Sequence, residues 1–328
     1  MLSKLIKKKE FSVFLIIIII SFFLTAINPV FFTFTNFMDI LKGNVVAGIL
    51  AMGMLPVLIT GGIDLSVSAN ITLTTLIAGK LLTQSNSGLF LIFIVCCIAG
   101  ALTGFLNGFI ITRFNISPIV ATLGIQSILQ GSILVYTKGN MINNMPQWFQ
   151  DFGRMTIIGV PVQIFFLIFT MGIMVFILKY TLAGRGIYAV GGNELSAVRV
   201  GYNPDKIKVL VYTLIGILAG IAGVINTSIV QGVNPNTFTG TELNVIAIAV
   251  IGGASTLGGT GTVLGTFLGM CLMAILNNGL VLAKIPTFWQ KIVMGIIIIA
   301  AVSIDVISKK IEQSKLIRVD LDEQEEKQ

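Results

Sequence analysis

Side chains able to do chemistry are scarce in this 328-residue sequence, and their types narrow the options. It contains no histidine, so neither a Ser-His-Asp constellation nor a histidine-bearing metal set can be assembled. Asp64, Glu242 and Asp305 fall near the ends of apolar stretches, whereas a proton relay would want such acids deep inside a span. Cys96, Cys97 and Cys271 lie within apolar runs, where thiols act as small hydrophobes and offer no disulfide framework or metal spacing. The glycine-rich run Gly252, Gly253, Gly258, Gly259, Gly261 lacks the following Lys of a phosphate cradle. No catalytic residue and no metal ligand is assigned, and the chain is read as a non-enzyme that binds no cofactor of its own.

What remains is a set of uncharged polar side chains at helical spacing. Ser66, Asn70 and Thr74 lie four apart on one face, and Thr122 and Gln126 share another. In hydrocarbon such groups must find partners, so they line either a helix contact or a wet path. As a path they suit a neutral, hydroxyl-rich solute, because an ion or phosphate would want fixed charge.

The elements that position these residues are membrane helices. Of the residues, 55% are hydrophobic and 11% charged, with a mean hydropathy of +0.96, whereas soluble domains carry roughly a quarter charged residues. The net charge of +7 would suggest nucleic acid in a soluble chain, but here the basic residues sit at span ends and have a topological cause. Apolar runs predict ten spans, at 11–29, 44–60, 66–82, 89–112, 118–136, 162–180, 206–226, 241–253, 262–282 and 288–306. The eighth is short enough to be a half-helix. The first follows Lys4, Lys7, Lys8 and Lys9 without a small-residue cleavage site, so it reads as a span rather than a signal peptide.

Ten spans put both termini on one side, and charge assigns that side to the cytoplasm. Of the 21 Lys and Arg residues, Lys42, Lys80, Lys138, Arg154, Lys284 and Lys291 would then lie outside, leaving 15 inside. Residues 1–310 form one membrane domain on this reading. The tail, 311–328, ends in Asp320, Asp322, Glu323, Glu325 and Glu326 and reads as a solvated, disordered segment. Residues 137–161, with Trp148 as an interfacial anchor, form the longest outward segment, either a partner surface or an ordinary surface loop.

The longest polar stretch between spans runs from Lys179 to Lys208 and carries Lys179, Arg185, Arg199, Lys206 and Lys208 against Glu194 and Asp205. It predicts a short cytoplasmic helix. Asn193 caps it, Glu194 favours its positive end, and Gly201 closes it. Asn203 and Pro204 then start the next span. Within the spans Gly100, Gly104 and Gly108 form one glycine ladder, Gly261, Gly265 and Gly269 another, and Gly216 and Gly220 a third; glycines four apart let helix backbones approach closely.

Four pieces, in order, carry a family resemblance: Gly61-Gly62-Ile63-Asp64-Leu65-Ser66, Ser117-Pro118-Ile119-Val120-Ala121-Thr122-Leu123-Gly124, Tyr188-Ala189-Val190-Gly191-Gly192-Asn193-Glu194, and Val250-Ile251-Gly252-Gly253 through Gly258-Gly259 to Gly261. With them the chain resembles the membrane permease subunits of ABC importers in the ribose and galactose branch, which also serves other monosaccharides and autoinducer-2. It departs at Gln130, where many members carry Arg. The resemblance implies an all-α bacterial cytoplasmic-membrane protein with an inverted repeat of spans 2–5 and 7–10. It implies import of a small neutral solute, most simply a monosaccharide such as ribose, with autoinducer-2 or nucleosides as family alternatives and a carrier without an ATPase as the rival outside it. Expected partners are a separate ATPase subunit that binds ATP and Mg, an extracytoplasmic solute-binding protein and a second permease subunit. Residues 193–201 would be the coupling helix that docks on the ATPase, with Asn193 and Gly201 bounding it, Glu194 and Arg199 as polar contacts and Ala197 permitting close approach.

Overall fold

In the computed structural model residues 9–303 are described, apart from 86, 287, 291, 294, 298, 301 and 302, and helices carry most of them. In order they are α1 (Lys9–Ile27), α2 (Phe34–Ile59), α3 (Val67–Gln84), α4 (Leu89–Arg113), α5 (Pro118–Thr137), α6 (Gln147–Arg154), α7 (Val162–Tyr180), α8 (Leu182–Gly192), α9 (Glu194–Arg199), α10 (Pro204–Val230), α11 (Thr241–Ile251) and α12 (Val263–Leu282). A 3-10 turn, Pro29–Phe32, joins α1 to α2, and one small hairpin, β1 (Thr156–Ile157) with β2 (Val160–Pro161), follows α6.

Seven of these helices, α1, α2, α4, α5, α7, α10 and α12, are long and apolar enough to cross a membrane. The other three expected spans differ for separate reasons. Helix α3 has 18 residues but carries Ser68, Asn70, Thr72, Thr74 and Thr75, which lower its hydropathy. Helix α11 has 11 residues, about 16 Å of rise, or half of a bilayer core. Residues 288–303 are helical wherever they are described; the end of the tenth span and the 311–328 tail lie outside the described residues.

The core is built on α2 and α10. Every residue of α2 from Gly48 to Ile59 is buried, as are Val211, Tyr212, Ile215, Ala219 and Ala222 of α10. Lipid gives packed helices no hydrophobic drive, so steric fit decides their contacts. The fit is supplied by facing glycines. A Cβ on Gly100 would strike the Gly216 carbonyl, one on Gly216 the Gly100 carbonyl, and one on Gly104 the Tyr212 carbonyl. The first and third ladders are thus the two sides of one α4–α10 contact, which Gly108 extends to Val209. Gly265 and Gly269 of α12 likewise meet Gly252 and Ile248 at the end of α11. Gly261 does not belong with them. Thr262 caps α12, its Oγ1 accepting from Gly265 N–H at 3.0 Å, so Gly261 lies before the helix and faces Leu55 and Ile59 instead.

Contacts sort the helix ends into two rims. One rim joins the start of α1 to the start of α12 through Thr262 Oγ1 donating to Glu10 Oε1 at 2.8 Å, and it also holds the end of α2 with α8 and α9. The opposite rim joins Asn36 of α2 to Asn278 of α12 and Lys42 of α2 to the Gly153 carbonyl. Helices α2 and α12 thus run from one rim to the other.

Replacing Gly104 by Leu is expected to destabilise the α4–α10 contact by at least about 1–3 kcal/mol through overpacking. Loss of the monodisperse peak on detergent size exclusion, with a lowered melting temperature, would show it. Gly124→Leu is the control, because no heavy atom lies within 4 Å of a Cβ at that position.

Candidate functional site

The four stretches that stand out in the sequence meet at the first rim. The turn after α2 reverses the chain through Gly61, whose φ of 76° suits a residue without a side chain. The turn after α11 comes up beneath it, and Gly259 N–H donates to the Ile59 carbonyl at 2.8 Å. Gly191, near the end of α8, is pressed against that bond. A Cβ there would overlap the Ile59 carbonyl and meet Gly259 N at 2.9 Å. Tyr188, one helical turn earlier, donates its hydroxyl to the Gly261 carbonyl at 2.8 Å; burial pushes its phenol above the ordinary value, so it stays a donor. The start of α5 closes the cluster, because Thr122 Oγ1 accepts from Leu65 N–H at 3.1 Å.

Behind the turn lies a buried polar chain. Asp64 Oδ1 accepts from Ser66 N–H at 2.8 Å and from Ser66 Oγ–H at 2.7 Å. Asn107 of α4 donates to Ser66 Oγ at 2.6 Å, and Tyr212 of α10 donates to the Ile63 carbonyl at 3.3 Å. Position near a span end does not mean exposure here. The chain re-enters the bundle between α2 and α3, and Asp64 is only 1% exposed.

Helix α9 hangs from this cluster and is defined at both ends as expected. Asn193 Oδ1 accepts from Ser196 N–H at 2.8 Å. Gly201, at φ 92°, closes it with paired bonds, Gly201 N–H to Val198 and Tyr202 N–H to Ala197, both 3.0 Å, the pattern of a Schellman C-terminus. Its side chains divide, Ala197 facing inward and Glu194 remaining exposed. Ala197 is buried, turned toward its own chain because it faces the base of the bundle. Glu194 is paired within the chain, to Lys208 Nζ at 2.9 Å, since the N-terminus of α9 sits beside the first turn of α10. Arg199 is exposed, and so are Leu195 at 76% and Val198 at 54%. Between α9 and the re-entrant turn is a cavity of about 320 Å³ lined by Thr60, Asn115, Glu194, Asp205, Lys208 and Tyr212.

The uncharged polar residues divide. Ser66, Asn70 and Thr74 are buried and bonded to neighbouring elements: Ser66 to Asn107, Asn70 Nδ2 to the Gly100 carbonyl at 3.3 Å, Thr74 Oγ1 to the Ala219 carbonyl at 2.9 Å. They join helices in this structure. Thr122 and Gln126 begin a ladder that Gln130 continues along α5, each four residues from the last. Gln126 Nε2 donates to Ser68 Oγ at 3.1 Å and to Glu242 Oε1 at 3.3 Å, and Gln130 Nε2 donates to the Pro235 carbonyl at 2.9 Å. Glu242, like Asp64, is drawn inward from an apparent span end, because α11 starts inside the bundle. Asp305 lies outside the described residues.

Sequence reasoning missed Asn107, Lys208, Leu195, Val198 and the inward position of Glu242. For Asn107 a signal existed, a lone amide in an apolar span between two ladder glycines. The partner of Lys208 is 14 residues away and no local spacing points to it.

A buried glycine cluster beneath a short helix thus closes one end of a bundle of apolar helices long enough to cross a membrane. The chain belongs to the family described as "Branched-chain amino acid transport system / permease component", whose model matches residues 36–302. It is 38% identical to the ribose import permease protein RbsC of Bacillus subtilis strain 168, over 89% of this chain and 90% of the relative. It is 34% identical to that of Escherichia coli K12 over 92% and 94%, and 32% identical to the autoinducer 2 import system permease protein LsrC of Enterobacter sp. strain 638 over 93% and 88%. No solved structure matches. The protein is thus a multi-pass permease of the bacterial cytoplasmic membrane.

Gly191→Val is expected to cost about 1–3 kcal/mol, because backbone rather than a flexible side chain blocks the new atoms. Gly192→Val should be close to neutral, with no heavy atom within 4 Å of its Cβ. Melting temperatures of the two purified variants check the pair.

Proposed function

We propose that the chain is the membrane subunit of an ATP-driven importer for a small neutral solute, a monosaccharide such as ribose, working by alternating access. The observation that carries this is near-full-length likeness to relatives named ribose import permeases. The polar ladder of α5 supports it, since Thr122, Gln126 and Gln130 offer hydrogen bonds without a fixed cation. ATP and Mg belong on a separate ATPase subunit in this reading, a solute-binding protein delivers from outside, and a second permease subunit completes the path.

Helix α9 is the coupling element. Its exposed face presents Leu195, Val198 and Arg199, two apolar anchors beside one cation, which suits a groove on a partner. Glu194 and Lys208 tie it to α10 and Ala197 seats it on the bundle, so they transmit its movement rather than contact the ATPase. Both termini lie in the cytoplasm, and spans 2–5 and 7–10 form inverted halves. In support, α3 and α11 both start inside the bundle next to an acid, and α4 and α12 both present glycine faces. Autoinducer-2 import is a second reading, favoured by the likeness to its permease. Competition for labelled ribose uptake separates the two.

The test is uptake in vesicles containing the permease, its ATPase and its binding protein. Uptake should require ATP, and Leu195→Asp with Val198→Asp should abolish it and prevent co-purification of the ATPase while the permease still inserts. Uptake that persists without the ATPase would make the protein a secondary carrier instead.

A further inference from the structure

We propose that Glu242, with Gln126 and Ser68, forms a solute-contacting subsite midway through the membrane, in which the free carboxyl oxygen of Glu242 accepts a hydroxyl of a neutral polyol. This rests on the reading of the protein as a sugar importer and names where within it the solute is held.

Depth is the first argument. Gln126 is the ninth of the 20 residues of α5, close to the middle of that span. Its amide touches Glu242 Oε1 at 3.3 Å, so the carboxyl is at the same level. It reaches that level because α11 starts within the bundle, after residues 231–240 have led inward from the end of α10. Gly240, at φ 86°, makes the turn into the helix.

Incomplete bonding is the second. Gln126 Nε2 serves both Glu242 Oε1 and Ser68 Oγ. Glu242 Oε2 is shielded from solvent and accepts nothing within the described residues. No Lys or Arg pairs with Glu242 there, the described ion pair being Glu194 with Lys208. An acceptor left open in a low-dielectric layer is costly, and a carboxyl at that depth is ordinarily paired or functional. Amide oxygens such as Asn70 Oδ1, Asn107 Oδ1 and Asn244 Oδ1 are also open, but Glu242 is the one carboxylate among these buried acceptors in the described residues, and a donor that comes and goes would complete it. Sugars are dense arrays of O–H donors, and adjacent hydroxyls can engage one carboxyl oxygen and a neighbouring amide or hydroxyl together.

Position along the ladder is the third. Thr122 is bonded to the re-entrant turn on one side and Gln130 to the Pro235 carbonyl on the other. Glu242 lies between them, at the point where the segment 231–240 gives way to helix. The ladder members above and below have found backbone partners. The middle level alone retains an open acceptor among these three rungs.

The experiment uses the assembled importer in vesicles, with wild type, Glu242→Gln and Glu242→Leu compared for uptake of ribose and of allose, for ATP hydrolysis and for melting temperature. The wild-type arm decides the functional reading: refusal of both sugars overturns it, and the subsite with it. Given wild-type uptake, Glu242→Leu should lower the maximal uptake rate by at least about tenfold, with ATP hydrolysis continuing and the melting temperature retained. Glu242→Gln, which keeps a carbonyl acceptor, should fall between the two. Wild-type uptake by Glu242→Leu overturns the subsite and leaves the importer standing. So does a loss of uptake that merely follows a loss of melting temperature or assembly, which would make the carboxyl a fastening between α5 and α11 only.

Discussion

The hydrogen bond from Gly259 N–H to the Ile59 carbonyl, with Gly191 pressed against it, is the contact on which the first rim depends. It joins the end of α2, the turn after α11 and the end of α8, which lie far apart in the chain. All three partners meet backbone to backbone, and a side chain on Gly191 would separate them. Membrane helices gain nothing from burying apolar surface against one another, so such a junction must be held by fit and by satisfied backbone groups. A displacement of α8 therefore passes to α2 and to the α11–α12 turn without being absorbed by flexible side chains. Helix α9, capped at both ends and tied to α10 by Glu194 and Lys208, adds a stiff handle to that junction.

What was legible in the sequence is what local physics decides. Asn193, Gly201, Asn203 and Pro204 were read correctly as helix boundaries because capping depends on residues within four positions. The ladders were legible as close-packing faces, and two of them prove to be partners. Gly261 was misread because spacing alone continues a ladder past the start of a helix, although Thr262 and Gly265 carried the signal of where α12 begins. Asp64 and Glu242 were misjudged for a deeper reason. Distance from the end of an apolar run measures depth only where the chain crosses straight through, and both acids sit where it turns back inside the bundle. Ala197 faces inward while Glu194 stays exposed beside Lys208, a division that a six-residue helix does not reveal from its sequence.

The four stretches that carry the family resemblance are 61–66, 117–124, 188–194 and 250–261, and the structure makes them parts of one cluster. Each supplies something different: a reversal at Gly61, a hydroxyl at Thr122, a wedge at Gly191 and a backbone donor at Gly259. Their separate positions in the chain gave no hint of this. The polar residues of α3 follow the same logic, since Asn70 and Thr74 bond to backbone carbonyls of α4 and α10 and fix α3 against the glycine-packed pair.

Two kinds of helix contact therefore coexist, and they differ in what motion they allow. The α4–α10 contact is a row of glycines against carbonyls, where a shift of even a fraction of an ångström produces overlap. Such a pair moves as one body. Helix α5 is different. Little of it is buried, and Thr122, Gln126 and Gln130 hold it through hydroxyl and amide side chains. An amide on a two-carbon stem can follow its partner or change it at small cost in geometry. Movement of the first rim is thus expected to carry α2, α4 and α10 together and to be taken up at α5. The polar ladder lies along that seam, which is therefore lined with groups able to bond a hydroxyl.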